Sequence, residues 1–191
     1  MNIFLRSPNF LETVAAETEK NNDAARQVTA GLSEAQLNWK ASPERWSIAQ
    51  CLDHLTVASG QFKDYFNDAI ARGRKKWPTT TPVVYKPSFV GGWLIKQVVP
   101  EAPRKLTAPK VFRPSTSAIT DPLGKFLNQQ KDFASFVRQA EGLDYNKVRL
   151  RSPVTPLMRY SLADAFVVTV VHGQRHLGQA RRVRETPGFP A

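Results

Sequence analysis

The sequence has a single cysteine, few acidic residues for its number of basic ones, and no long apolar run. Cys51 alone cannot form an intrachain disulfide, which argues against a disulfide-stabilised secreted scaffold. The N-terminal residues lead into a Ser7-Pro8 helix start without the apolar core of a secretory signal. The longest apolar candidate, residues 166–171, is far below the roughly 18 residues that span a bilayer. These absences predict a soluble cytoplasmic protein with no membrane association.

The composition is that of a folded protein. Apolar residues make up 41% of the 191 residues and aromatic residues 10%, which is enough for a substantial core and is not typical of disorder. Single cores extend to roughly 250 residues. The sequence therefore predicts one domain over residues 1–191.

The excess of positive charge is concentrated in one segment. The formal net charge is +11, and the segment from Gly73 to Thr120 contains nine basic residues against Glu101 alone, which is +8. These nine are Arg74, Lys75, Lys76, Lys86, Lys96, Arg104, Lys105, Lys110 and Arg113. Nucleic-acid recognition motifs are lacking, so no specific nucleic-acid partner is expected. Two roles remain open for the segment: a solvated cover, or a flap that supplies cations to an anionic substrate.

Four segments with apolar residues at helical spacing predict four long helices. They run from Phe10 to Gly31, Ile48 to Gly73, Pro122 to Gly142, and Leu162 to Val183. Capping-box patterns, a serine followed three residues later by Gln or Asp, mark helix starts at Ser33, Ser47 and Ser161.

The segment of about 73–120 separates helices two and three. It contains seven of the fourteen prolines, which exclude long helices and interior strands. Its apolar residues favour an ordered insertion with a short helix near residues 92–98, and a loop is predicted around Pro153 and Pro156. The predicted fold is an all-α four-helix bundle with a long proline-rich insertion between helices two and three.

The three histidines all fall in predicted helices. His172 and His176 are four residues apart and so share a helix face, and His54 lies in helix two. Three imidazoles leave coordination positions open on a divalent metal, which is typical of catalytic rather than structural sites. The alternative is that they are hydrogen-bonded core histidines, which is the usual state of an isolated histidine on an apolar face.

Two segments resemble the DinB-like (YfiT-like) superfamily of metal-binding bundles. The first is WSIAQCLDHL, from Trp46 to Leu55, and the second is HGQRHLGQ, from His172 to Gln179. The similarity extends over roughly residues 10–184, although the insertion is longer than many members carry. The resemblance implies a four-helix bundle, often dimeric, that holds zinc, nickel or iron through His54, His172 and His176.

The resemblance also implies a class of activity. Members with assigned chemistry are thiol-dependent S-transferases and isomerases that use bacillithiol, mycothiol or glutathione. We therefore expect a metal-dependent thiol S-transferase or related hydrolase with a small-molecule substrate and a low-molecular-weight thiol. The competing expectation is a bundle that binds a metal or small ligand without turnover.

Neighbouring residues have two interpretations each. Gln179, one turn after His176, and Gln50, one turn before His54, could orient a metal ligand, although Gln50 is already explained as a helix cap. Cys51 is expected to be an inert core residue rather than a thiol that leans toward the metal, and Trp46 a core anchor rather than a platform that stacks on substrate. A Ser-His-Asp hydrolase is disfavoured because no Gly-x-Ser-x-Gly motif is present.

Overall fold

Four long helices form the frame of the molecule: α2 (Phe10–Thr29), α4 (Ile48–Gly60), α7 (Pro122–Gln139) and α8 (Leu162–Arg184). The structure is a computed structural model that describes residues 2–5, 7–102, 107–155 and 157–190. Shorter elements are α1 (Asn2–Leu5), α3 (Glu34–Asn38), α5 (Lys63–Lys76), α6 (Phe89–Val98), a 3₁₀ turn (Lys110–Phe112), β1 (Arg149–Arg151) and β2 (Arg159–Ser161). The predicted all-α class is confirmed.

The long helices form a closed bundle. Helices α7 and α8 each pack against both α2 and α4, so the order around the bundle is α2, α8, α4, α7. The rings of Phe66, Phe133 and Phe166 meet in the main core with centroids 5.5 to 6.1 Å apart. All three side chains are almost fully buried, and such aromatic pairs stabilise a core beyond the area they bury.

The second predicted helix is two helices in the structure. Helix α4 ends at Gly60, Gln61 and Phe62 form a turn, and α5 begins at Lys63. Glycine is a weak helix former, and on either side of the turn α4 packs in the bundle while α5 packs on α7 and β1. Helix α5 then continues past the predicted end at Gly73 to Lys76, so the insertion begins at residue 77.

The start of the first long helix also differs from the prediction. Helix α2 begins at Phe10, after Asn9, rather than at Pro8. The Ser7 hydroxyl accepts hydrogen bonds from the backbone N–H of Asn9 and the hydroxyl of Thr13. Ser7 therefore organises the turn before the helix instead of capping its first N–H groups.

A β-hairpin occupies part of the segment that was predicted to be a loop. Strands β1 and β2 are antiparallel, with Arg149 opposite Ser161, Leu150 opposite Tyr160 and Arg151 opposite Arg159. Leu150 and Tyr160 are buried and their neighbours Arg149, Arg151 and Arg159 are exposed. Three-residue strands have too little alternation to be recognised from sequence. Pro156, which was part of the loop prediction, lies outside the described residues.

The insertion runs along the bundle in three parts. Its first part pairs with the segment after α7, where the backbone N–H of Thr79 donates to Gly142 and that of Asp144 donates to Trp77. Its second part is α6, which packs on α8 and β2. Its third part, residues 110–119, packs on α4. Two of the cations in the basic segment, Arg104 and Lys105, lie outside the described residues.

A buried carboxylate joins α6 to α8. The side chain of Asp164, fully buried, accepts hydrogen bonds from the hydroxyls of Tyr85, Ser88 and Ser161. A buried charge is tolerated only when hydrogen bonds replace its hydration. These bonds complete the capping box of α8 at Ser161 and fix α6 against the start of the same helix.

Within the described ranges, no helix combines the length and the apolar character that a membrane span would require.

Candidate metal centre

His54 is positioned by the capped start of α4. The Ser47 hydroxyl accepts from the backbone N–H of Gln50, and the Gln50 side chain accepts from the backbone N–H of Ser47. This capping box fixes the first turn of the helix, and His54 follows one turn later with 3% of its surface exposed. The rotation of α4 therefore directs His54 into the bundle interior.

His172 and His176 lie one turn apart on α8 and face α4. Their ring centroids are 4.6 Å apart, and those of His54 and His176 are 4.5 Å apart. Nε2 of His54 lies 3.2 Å from Nε2 of His172. One nitrogen from each of the three rings lies within 4.8 Å of the others. The structure thus brings His54 next to His172 and His176, which lie 118 and 122 residues further along the chain.

Two hydrogen bonds determine which ring nitrogens face the centre of the cluster. His54 Nδ1 donates to the backbone carbonyl of Phe112 at 2.5 Å, and His176 Nδ1 donates to the side-chain carbonyl of Gln179 at 3.0 Å. Neutral imidazole carries one N–H, so these bonds leave the Nε2 lone pair of each ring available. Metal-binding histidines commonly donate their second nitrogen in this way.

The environment keeps the imidazoles neutral. Burial lowers the pKa of His54 below its usual value, opposed by the hydrogen bond to Phe112. Burial, together with the proximity of His176 and His54, lowers the pKa of His172 much further. Burial lowers the pKa of His176 to about 3. Because a metal binds the neutral form of histidine, all three rings are in the binding-competent state at neutral pH.

The indole of Trp46 covers two of the three histidines. Its ring is stacked on His176, with centroids 5.5 Å apart, and lies tilted against His54 at 4.9 Å. Trp46 is partly buried and also contacts the small apolar cluster of Val28, Ile48 and Ala180. The sequence favoured a core anchor over a platform that stacks on substrate, and the structure also makes Trp46 a wall of the histidine cluster.

The insertion also contacts the histidine cluster. The side-chain amide of Gln50 donates to the carbonyl of Ser115, and Asp53 accepts from the backbone N–H of Ser115 at 2.8 Å. These bonds fix residues 110–115 on α4, where the carbonyl of Phe112 reaches His54. Among the described residues Gln50 has no hydrogen bond to a histidine, and it acts on the cluster through the cap of α4 and through Ser115. Four of these six residues are exposed, so this part of the insertion is a largely solvated segment anchored on α4 through Ser115.

Cys51 does not join the histidines. Its side chain is fully buried beside Val28, Ile48 and Ala180. Burial raises the pKa of its thiol to about 12, so the reactive thiolate is absent at neutral pH. Cys51 is a core residue.

The donor set suits a divalent metal. Imidazole nitrogens bound to a tetrahedral metal at about 2.0–2.1 Å lie roughly 3.3 Å from one another. The 3.2 Å between the Nε2 atoms of His54 and His172 agrees with that spacing. The cluster contains three neutral imidazoles and, among the described residues, no carboxylate or thiol belongs to it. Such a set could hold a divalent metal and would leave coordination positions for a further ligand.

Fold and site together define a class: a helical bundle in which two long helices hold a three-histidine cluster able to bind a metal. A model of the DinB superfamily matches residues 17–180 of this chain. The protein therefore belongs to the DinB superfamily. Comparison with curated proteins and with solved structures gave no match.

Two features of the site have no signal in the sequence. The Phe112 contact uses a backbone carbonyl, and every residue has one. Asp53 directly precedes His54 in the family-like segment, but no sequence pattern predicts its hydrogen bond with Ser115. Trp46 was visible within that segment, and its proximity to two histidines depends on the packing of α4 against α8.

Proposed function

We propose that this protein is a metal-dependent enzyme, a thiol S-transferase or a related hydrolase, that works at His54, His172 and His176. The observation that carries the proposal is the set of three neutral imidazoles, which no acidic or thiol ligand joins in the part of the chain that the structure describes. Structural zinc sites are closed by four protein ligands, whereas three leave room for a reacting molecule. A divalent metal held there would supply Lewis-acid activation of a thiol or of water.

The chain's own residues hold the histidines in place. The carbonyl of Phe112 and the amide of Gln179 accept the Nδ1 protons, which orients the Nε2 lone pairs of His54 and His176. Trp46 excludes water from one side of the rings. A site held this way changes little when a substrate binds, and such preorganisation favours catalysis.

The proposal includes the substrates and the location of the protein. The expected substrates are a small electrophilic molecule and a low-molecular-weight thiol, and the expected location is the cytoplasm. Dimerisation is expected from the family resemblance.

The first experiment measures bound metal in untagged protein by elemental mass spectrometry. Wild type is compared with the triple variant His54→Ala/His172→Ala/His176→Ala and with Gln174→Ala. Gln174 lies on the same helix and donates to Glu17, so it controls for a general effect on α8. We expect about one metal per chain in wild type and Gln174→Ala, and none in the triple variant.

The second experiment measures conjugation of glutathione, bacillithiol and mycothiol to an electrophile such as chlorodinitrobenzene. Activity that requires the metal and is lost in His172→Ala supports the proposal that the protein is an enzyme. Stoichiometric metal without activity toward any thiol or hydrolysable ester supports the non-catalytic binding bundle. Wild type that holds no more metal than the triple variant overturns both.

A further inference from the structure

A second candidate site lies between α5 and the β-hairpin. A cavity of about 560 Å³ is lined there by four arginines, Arg72, Arg149, Arg151 and Arg159, together with Tyr65 and Asp68. None of these residues belongs to the histidine cluster, and the proposed function does not use them. The volume falls within the range of small-molecule sites, roughly 300 to 1,000 Å³.

The hairpin register places like charges side by side. Arg151 is directly opposite Arg159, and Arg149 is two residues before Arg151 on the same face of β1. Buried Leu150 and Tyr160 fix this register, because a shift of one residue would bury the arginines instead. Like charges directly opposite each other destabilise a β-ladder. The arrangement therefore costs stability unless an anion lies among the guanidinium groups.

The protein itself supplies little negative charge to this cluster. Asp68 is the one acidic residue in the lining, and it is paired with Arg72, whose second terminal nitrogen donates to the carbonyl of Arg149. Among the residues that the structure describes, the guanidinium groups of Arg149, Arg151 and Arg159 have neither a hydrogen bond nor an ion pair. Four positive charges and one negative charge leave the cavity with a net charge of +3.

The general explanation for charges on short strands is that they prevent edge-to-edge aggregation. Protection of an edge requires an isolated charge that points into solvent. It does not require four arginines that converge on one cavity from two elements. The convergence of α5 and the hairpin is better explained by a ligand.

We propose that this arginine cluster binds a small molecule through a diphosphate group. The planar guanidinium group donates two parallel hydrogen bonds to phosphate oxygens, which is why arginine is favoured in such sites. A diphosphate carries about three negative charges at neutral pH and so matches the net charge of the cavity. The cavity also has room for an organic group, which Tyr65 at its rim would contact.

Isothermal titration calorimetry with inorganic pyrophosphate tests this site. The protein is freed of metal with a chelator, so that phosphate cannot bind through a metal at the histidines. The test variant is Arg151→Gln/Arg159→Gln. The matched control is Lys125→Gln/Arg138→Gln, which removes the same charge from two exposed positions on α7. Arg151→Lys keeps the charge but removes the planar group.

We expect the pyrophosphate affinity to fall at least tenfold in Arg151→Gln/Arg159→Gln and severalfold in Arg151→Lys. The control pair and His172→Ala should bind as wild type does. Pyrophosphate should also raise the Tm of wild type and leave that of the double arginine variant unchanged.

The proposal is overturned if wild type does not bind pyrophosphate measurably, or if the control pair loses as much affinity as Arg151→Gln/Arg159→Gln. Loss of pyrophosphate binding in His172→Ala would also overturn it. So would an affinity of wild type for citrate equal to that for pyrophosphate, because citrate matches the charge without phosphate. Duplex DNA that binds more tightly than pyrophosphate and displaces it would also overturn the small-molecule assignment. If the double variant does not fold, as judged by its circular dichroism spectrum, the single variants Arg159→Gln and Arg151→Lys decide the question by the same criteria.

Discussion

His54 donates its Nδ1 proton to the backbone carbonyl of Phe112, a residue 58 positions further along the chain. The contact links a bundle helix to the proline-rich insertion and orients the ring within the histidine cluster. The insertion, which also packs on α8 and β2 through α6, is thereby part of the proposed metal centre.

The first prediction concerns Gln179, whose side-chain carbonyl accepts the Nδ1 proton of His176. Gln179→Leu removes this acceptor and should lower metal affinity about 10- to 100-fold, whereas Gln179→Glu keeps an acceptor and should retain most of it. Competition with a fluorescent chelator measures both. Equal affinity in the two variants would mean that Gln179 does not orient the ring.

The second prediction concerns Asp53, which holds the insertion through the backbone N–H of Ser115. Asp53→Ala should free residues 110–115, weaken the contact between Phe112 and His54, and lower metal affinity about tenfold. Asp23→Ala is the control, because Asp23 pairs with Arg26 on the surface of α2. The same competition assay measures the metal affinity of both variants. An unchanged affinity in Asp53→Ala would mean that the insertion does not contribute to metal binding.

The third prediction compares two adjacent glycines in α6. A Cβ at Gly91 would overlap the carboxylate of Asp164, which three hydroxyls hold in place, whereas a Cβ at Gly92 would lie 3.5 Å from Pro87 in ordinary contact. Gly91→Ala should destabilise the protein by about 1–3 kcal/mol through overpacking. Gly92→Ala should stabilise it by up to about 1 kcal/mol through helix propensity. Urea unfolding measures both, and equal effects would contradict this packing of α6 on α8.

The fourth prediction compares a buried with an exposed phenylalanine. Phe166 is fully buried against Phe66 and Phe133, so Phe166→Ala should lower the free energy of unfolding by about 3–5 kcal/mol. Phe89 is 94% exposed, and Phe89→Ala should change it by no more than about 0.5 kcal/mol. Urea denaturation of both variants provides the test. A small decrease in the free energy of unfolding of Phe166→Ala would contradict the assignment of Phe166 to the centre of the core.

The fifth prediction concerns alkaline pH. Burial, and then the charge of Asp164, raise the pKa of Tyr85 well above its usual value of 10. Above about pH 10 the unfolded chain loses this proton while the folded protein keeps it, so the free energy of unfolding falls as pH rises.

In Tyr85→Phe the fall between pH 9 and 11 should be shallower. The free energy of unfolding at pH 7 should also be lower by about 1 kcal/mol, because a hydrogen bond to Asp164 is lost. Tyr65→Phe, at a more exposed tyrosine, serves as the control in a series of Tm measurements. An identical pH profile in wild type and Tyr85→Phe would contradict the assignment.

The helices were largely predictable from sequence because their signals are local. Apolar periodicity and the capping boxes at Ser33, Ser47 and Ser161 each depend on residues within one or two turns. The break at Gln61 was not predicted, because apolar residues continue at helical spacing through it and the end of α4 depends on what α4 and α5 pack against. The hairpin was missed because its strands are three residues long.

The sequence by itself determined the helices, the shared face of His172 and His176 and, through the family-like segments, the three histidines as a set. Tertiary structure alone decided that the carbonyl of Phe112 would reach His54, that Trp46 would lie on two of the rings, and that arginines from α5 and the hairpin would converge. The physical reason is the range of the interactions. Helix formation and i, i+4 geometry depend on neighbours in the chain, whereas most of these contacts join residues tens to more than a hundred positions apart, and only packing of the whole core sets their distances.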